Sequence, residues 1–166
     1  MRISLLGIPG AGKTVLAKRL SKTFKIMYVS LKAIRQTYKL DTDEEVMEKI
    51  KACIVKSKHY ILDDYPVSYD LHKQSLHLDA VLWLNSSVSI CTDRLLNQYT
   101  PLEIEEKFKQ YADKVSPLKQ YFTLNNTIIK LNAEKLPMQV YATCIMKMKK
   151  HNIKDIDNYI NRILIR

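Results

Sequence analysis

The chain has 166 residues, 46% of them hydrophobic, and a formal net charge of +10. That size supports one compact domain with a real core and is short for two. Apolar runs are brief, as at residues 80–84, well under the roughly 20 residues of a membrane helix, so no membrane partner is expected.

Residues 2–6 read as a short buried strand, which leaves no room for a targeting peptide. The three glycines of the chain, Gly7, Gly10 and Gly12, follow it within one window. At average usage a chain this long would hold about a dozen. From Thr14 to Phe24, apolar residues at Val15, Leu16, Leu20 and Phe24 repeat with helical spacing. Residues 26–29 form a second strand, and 31–40 are weakly helical. Asp41-Thr42-Asp43-Glu44 starts a stronger helix, with acids in its first turn and lysines near its end.

Residues 58–62 are a third strand, ending at Asp63-Asp64-Tyr65-Pro66, and 79–84 a fourth. Helices are expected over 88–97, 102–114 and 117–122, then a fifth strand over 126–132. A helix enters at Pro137, and residues 153–165 make a last amphipathic one through Ile153, Ile156, Ile160, Ile163 and Leu164. Strands alternating with helices predict a single-domain α/β fold with a mainly parallel sheet.

Gly7-Ile8-Pro9-Gly10-Ala11-Gly12-Lys13-Thr14 satisfies G-x-x-x-x-G-K-[ST], between a strand and a helix. Glycines let successive backbone N–H groups face one anion, and the helix adds the positive end of its dipole. Lys13 reaches the β- and γ-phosphates, and Thr14 offers a hydroxyl to Mg²⁺. An acid ending a neighbouring strand would hold the Mg²⁺ through water. Asp63 is the candidate, because Asp64 already lies in the turn before Pro66.

The positive charge suits phosphate-bearing partners. The lysines are spread out, apart from Lys147, Lys149, Lys150 and Lys154, so a solvated surface is the simpler reading and nucleic acid is not the favoured partner. Cys53, Cys91 and Cys144 show no metal or redox spacing and read as buried thiols in a reducing cytoplasm.

Residues 7–14 resemble the G-x-P-G-x-G-K loop of adenylate kinases and related nucleoside monophosphate kinases. Tyr60-Ile-Leu-Asp-Asp-Tyr-Pro66 is similar to their apolar strand followed by D-G-[FY]-P-R. Ser30-Leu-Lys-Ala-Ile-Arg35 resembles T-G-D-L-L-R, and Leu131-Asn132-Ala133-Glu134 their loop near the adenine. Val81-Leu-Trp-Leu84 with Arg94-Leu-Leu matches the fourth strand and the hinge of the lid. The ordered set covers about residues 2–148.

The resemblance implies a five-stranded parallel core of the P-loop NTPase type over residues 1–150, with residues 151–166 as a helix packed on the same domain. It implies ATP and Mg²⁺ as cofactors, transfer to a nucleoside or deoxynucleoside monophosphate, and a cytoplasmic monomer. Lys13, Arg35, Arg94 and Asp63 would carry catalysis. ATP would meet Gly7, Pro9, Gly10, Ala11, Gly12, Lys13, Thr14, Val15 and Asn132. The acceptor would meet Ser30, Arg35, Asp64 and Tyr65, and Mg²⁺ would meet Thr14 and Asp63.

The chain departs from the pattern at several points. Val67 stands in place of an acceptor-binding arginine, Gln98 in place of a lid-hinge arginine, and Lys107 in place of the arginine on the exit helix. Leu71 takes the position of a base-reading glutamine, with Gln74 out of register, and Tyr99-Thr100-Pro101 replaces the lid. Lys32, His72, Lys73 and Lys107 are cations that could compensate. The losses also fit an ATP-binding module without useful transfer, acting as a switch or assembly partner, and the charge admits a nucleic-acid-directed kinase or ATPase.

Overall fold

The computed structural model describes residues 1–66, 76–125, 127–153 and 156. Strands β1 (Arg2–Gly7), β2 (Met27–Ser30), β3 (Tyr60–Asp63), β4 (Ala80–Asn85) and β5 (Ile128–Asn132) form one sheet. Their order is β2-β3-β1-β4-β5, and every neighbouring pair is parallel. Among the described residues seven helices flank it: α1 (Lys13–Phe24), α2 (Leu31–Tyr38), α3 (Asp43–Ile54), α4 (Val88–Leu95), α5 (Pro101–Lys114), α6 (Leu118–Leu124) and α7 (Pro137–Lys150). This is a P-loop NTPase-like α/β fold, and the connections from β1 to β2, β2 to β3 and β4 to β5 run through helices, as parallel neighbours need a crossover.

Side chains alternate across a strand, so each strand feeds two cores. Ile3 and Leu5 of β1, Leu82 of β4 and Ile129 of β5 meet Leu20 and Phe24 of α1 and Cys144 and Met148 of α7. On the other face Leu6, Leu62 and Trp83 meet Met47 and Ile50 of α3 and Leu118 and Phe122 of α6. Each such side chain, fully buried, contributes about 1.5–3 kcal/mol. Burial on both faces explains why residues 60–62 and 80–84 are continuously apolar rather than alternating.

The helix starts follow local sequence. Thr42 with Glu45 and Thr100 with Glu103 form reciprocal capping boxes at α3 and α5. Ser30 Oγ accepts from the Ala33 N–H at 3.2 Å to start α2. No helix among the described residues is long and apolar enough to cross a membrane.

Some boundaries shift. β3 begins at Tyr60 and extends through Asp63, and β2 takes in Ser30, because the parallel register pairs Ser30 with Asp63 and Asp63 with Leu5. The sheet ladder thus reaches further than the apolar run. Cys91 and Cys144 are buried, but Cys53 is exposed on α3, correcting its reading as a buried thiol. Ile153 and Ile156 are buried in the core formed with α1 and α7; the rest of the helix expected over 153–165 lies outside the described residues, as do Val67, Leu71, His72, Lys73 and Gln74.

Candidate functional site

β1 and β4 are neighbours whose following connections run to opposite edges of the sheet. A crevice at the carboxyl ends of such strands is where open α/β sheets receive ligands. The glycine loop between β1 and α1 lies there. Gly10 has φ +84°, and a Cβ on it would stand 2.7 Å from the Cys91 carbonyl oxygen of α4. The loop is therefore pressed against the α4 backbone in a conformation that side chains resist. Pro9 is half-buried and Ala11 buried beneath the loop. Gly12, at the N-terminus of α1, supplies no side-chain cap, and the first turn of α1 contains no acid. Its free amides and dipole are left to face an anion.

Lys13 is only 7% exposed. Its Nζ donates to the Gly7 carbonyl at 2.8 Å and the Ile8 carbonyl at 3.2 Å, and stands 3.2 Å from Asp64 Oδ1. The ammonium thus lies across the start of its own loop, with Asp64 as counter-charge. Asp64 has φ +69° and bends the chain out of β3; its N–H donates to the Leu5 carbonyl at 3.2 Å. An aspartate tolerates this left-handed geometry better than most side chains.

Asp63, the last residue of β3, is 2% exposed. Its Oδ2 accepts from Thr14 Oγ1 at 2.6 Å and from Tyr28 Oη at 2.8 Å. Its Oδ1 is buried without a hydrogen-bond partner. A bare carboxylate oxygen beside a threonine hydroxyl is costly unless something electropositive reaches it. Burial and the Asp63 charge push the Tyr28 phenol up to about 12, so it remains a proton donor.

Arg94, on α4, ties the loop to the next strand end. Its Nη1 donates to the Gly10 carbonyl at 3.3 Å and its Nη2 to the Ala133 carbonyl at 3.0 Å. Asn132 ends β5, where its Oδ1 accepts from the Glu134 N–H at 2.9 Å. Glu134 Oε1 in turn accepts from the Ser87 N–H at 2.8 Å, covering the start of α4. Val15 stands beside the loop, 57% exposed.

The fold brings some of the sequence candidates together and holds others apart. Gly7, Gly10, Gly12, Lys13, Thr14, Asp63 and Asp64 converge at one strand end, with Ser30 registered beside Asp63. Arg35 sits apart: its Nη1 donates to the Asp41 carbonyl at 3.0 Å and its Nη2 contacts Asp43 Oδ1. Tyr65 packs its ring into the core with α3 and α6, and burial pushes its phenol up to about 12. The turn at 96–100 joins α4 to α5 with no intervening segment.

One residue, Tyr28, and one grouping, that of Tyr99 with Lys32 and Lys107, escaped the sequence. Tyr28 lies two residues before Ser30 on β2, and that spacing, which puts both on one face, was the signal available. Tyr99 gathers two lysines from different helices. Lys32 Nζ donates to Tyr99 Oη at 3.1 Å, and Lys107 Nζ stands 4.3 Å from the ring centroid. Nothing in local sequence joins residues so far apart.

No family model matches the chain. It is 27% identical to the adenylate kinase of Sinorhizobium medicae (strain WSM419) over 165 residues, covering 74% of the chain and 86% of that relative. It is 24% identical to the adenylate kinase of Rhodopirellula baltica (strain DSM 10527 / NCIMB 13988 / SH1) over 177 residues, covering 86% and 92%. With the adenylate kinase of Stenotrophomonas maltophilia (strain R551-3) the identity is 22% over 169 residues, covering 80% and 90%. The similarity is low but covers most of the chain.

Proposed function

We propose that the chain is an ATP- and Mg²⁺-dependent kinase that transfers the γ-phosphoryl group of ATP to a nucleoside or deoxynucleoside monophosphate. The observation carrying this reading is the joining of the glycine loop, Lys13, Thr14 and the half-satisfied Asp63 carboxylate at one strand end. The similarity to adenylate kinases supports a nucleotide as substrate.

The donor set suits a hard divalent cation. Thr14 and Asp63 offer oxygens only, the preferred ligands of Mg²⁺, and two protein groups leave room for phosphate oxygens and water. Thr14 and Asp63 would hold the ion, which when bound neutralises charge on the phosphates. Asp63 Oδ1 is the oxygen without another partner.

The chain's own groups do the remaining work by position and charge. The loop amides and the N-terminus of α1 bind the triphosphate. Lys13 exchanges the Gly7 and Ile8 carbonyls for phosphate oxygens, and Arg94 fixes the loop against the end of β5. In transfer, a phosphate oxygen of the monophosphate forms the new P–O bond as the bond to the β-phosphate oxygen breaks. The products are two diphosphates.

The test is ADP formation from ATP and Mg²⁺ with a panel of ribo- and deoxyribonucleoside monophosphates. At least one acceptor should give transfer, and Lys13→Met should lose about 100-fold or more in rate. A second reading, an ATP-binding module without useful transfer, is favoured by one contact: Asp43 holds the guanidinium of Arg35, for which an acceptor phosphate would have to compete. ATP binding with no product above blank from any acceptor would refute the kinase and leave the module.

A further inference from the structure

Lys32, on α2, and Lys107, on α5, meet on one phenol in the turn between α4 and α5. Lys32 holds the hydroxyl of Tyr99 at 3.1 Å, while Lys107 lies over its face at 4.3 Å from the centroid. Like charges gathered in this way repel unless an anion faces them. Among the described residues neither lysine forms an ion pair. Glu103, one turn before Lys107, has its carboxylate taken up by the Thr100 N–H at 2.7 Å and hydroxyl at 2.8 Å, and it feels the charge of Lys107 without forming an ion pair with it.

The ring orients both ammoniums without neutralising either. An ammonium has three donors, and Lys32 uses one on Tyr99. Lys107 is held through the π-face, which leaves its N–H groups for another acceptor. The hydrogen bond from Lys32 and the charges of both lysines also hold the Tyr99 phenol below its ordinary range.

Asp64 relates this cluster to the phosphate loop. Its carboxylate pairs with Lys13 at 3.2 Å and is also attracted by the charge of Lys32. Lys32 lies in the first turn of α2, directly after Ser30, whose register partner on β3 is Asp63, and so stands at the same strand ends as Lys13 and Asp64.

We infer that Lys32, Tyr99 and Lys107 form a fixed clamp for the terminal phosphate of a nucleoside triphosphate seated on the Gly7–Thr14 loop. The inference rests on the ATP reading of that loop. Lys13 and the loop amides serve the phosphates common to ADP and ATP, and the clamp serves the one that only ATP carries. Because it is built on two helices and a short turn, it supplies charge without a mobile segment.

The experiment is calorimetric titration of the full chain with Mg·ADP and Mg·ATP. Lys32→Met and Lys107→Met should each weaken ATP about fivefold, the scale of a partly exposed charge contact, and change ADP less than twofold. Tyr99→Phe should reproduce the Lys32→Met loss and spare that of Lys107. Tyr99→Ala should weaken ATP at least as much as either lysine variant. Lys109→Met, an exposed neighbour on α5, is the control, and added salt should shrink the difference between ATP and ADP.

Unchanged ATP affinity in the lysine variants, or equal losses for ATP and ADP, would overturn the clamp while leaving any observed transfer to a monophosphate intact. Wild-type chain that binds ATP but phosphorylates no acceptor would overturn the kinase reading alone. Wild-type chain that binds no ATP would overturn both.

Discussion

Tyr28→Phe removes one hydroxyl from the Asp63 carboxylate and nothing else of size. Asp63 is 2% exposed, and its Oδ2 is held by Thr14 at 2.6 Å and Tyr28 at 2.8 Å. A hydrogen bond to a charged group contributes about 1.5–3 kcal/mol. Thr14 remains on the same oxygen and Tyr28 is only half-buried, so the low end, about 1.5 kcal/mol, is expected. For a chain of this size that is a fall in melting temperature of about 3–6 °C. Urea unfolding of Tyr28→Phe, Asp63→Asn and the double variant gives the coupling, expected at about 1 kcal/mol or more.

The pH dependence carries the same argument. Folding raises the Tyr28 phenol from the ordinary value near 10 to about 12, through burial and then the Asp63 charge. A raised value favours the protonated form in the folded state, so its contribution is complete below pH 10 and lost as pH rises towards 12. Wild-type stability should therefore fall more steeply than that of Tyr28→Phe over this window. If Tyr28→Phe costs the same with Asp63→Asn as without it, Tyr28 does not act through Asp63 and the reasoning is wrong.

Two other perturbations separate causes at single positions. Gly10→Ala places a Cβ 2.7 Å from the Cys91 carbonyl oxygen at φ +84°, whereas Gly12→Ala meets nothing within 4 Å at φ +89°. Denaturant unfolding should show a loss of about 2–4 kcal/mol for Gly10→Ala, from overpacking added to backbone strain, and about 1–2 kcal/mol for Gly12→Ala from strain alone; equal losses would refute the steric part. Asp79 tests the acid limb of stability. Burial opposes its charge, but hydrogen bonds from Arg2 at 2.8 Å to the N–H and 2.8 Å to Nη2 outweigh this and hold its carboxyl below the usual range. The contribution is present above the ordinary carboxylate value and lost as pH falls through the lowered one. Asp79→Asn should cost about 1–3 kcal/mol at pH 7 and progressively less in acid, measured by urea midpoints at both ends.

The sequence by itself determined the α/β class and the place of the glycine loop. Both depend on near neighbours: apolar runs of strand length, helical spacing after Thr14, and three glycines in one window. Capping at Thr42 and Thr100 was also local, since each partner lies three residues on. Tertiary structure decided which side chains share an atom or a ring. Parallel pairing brought Ser30 level with Asp63, and the fold set Tyr28 and Thr14 on one carboxylate oxygen. It also tied Arg35 to Asp43 and assembled Lys32, Tyr99 and Lys107 from α2, a turn and α5. Such contacts depend on crossover and register across dozens of residues, and periodicity carries no information about them. The loop is legible in a single stretch of chain, whereas the groups that surround it exist as a site only once the strands are side by side.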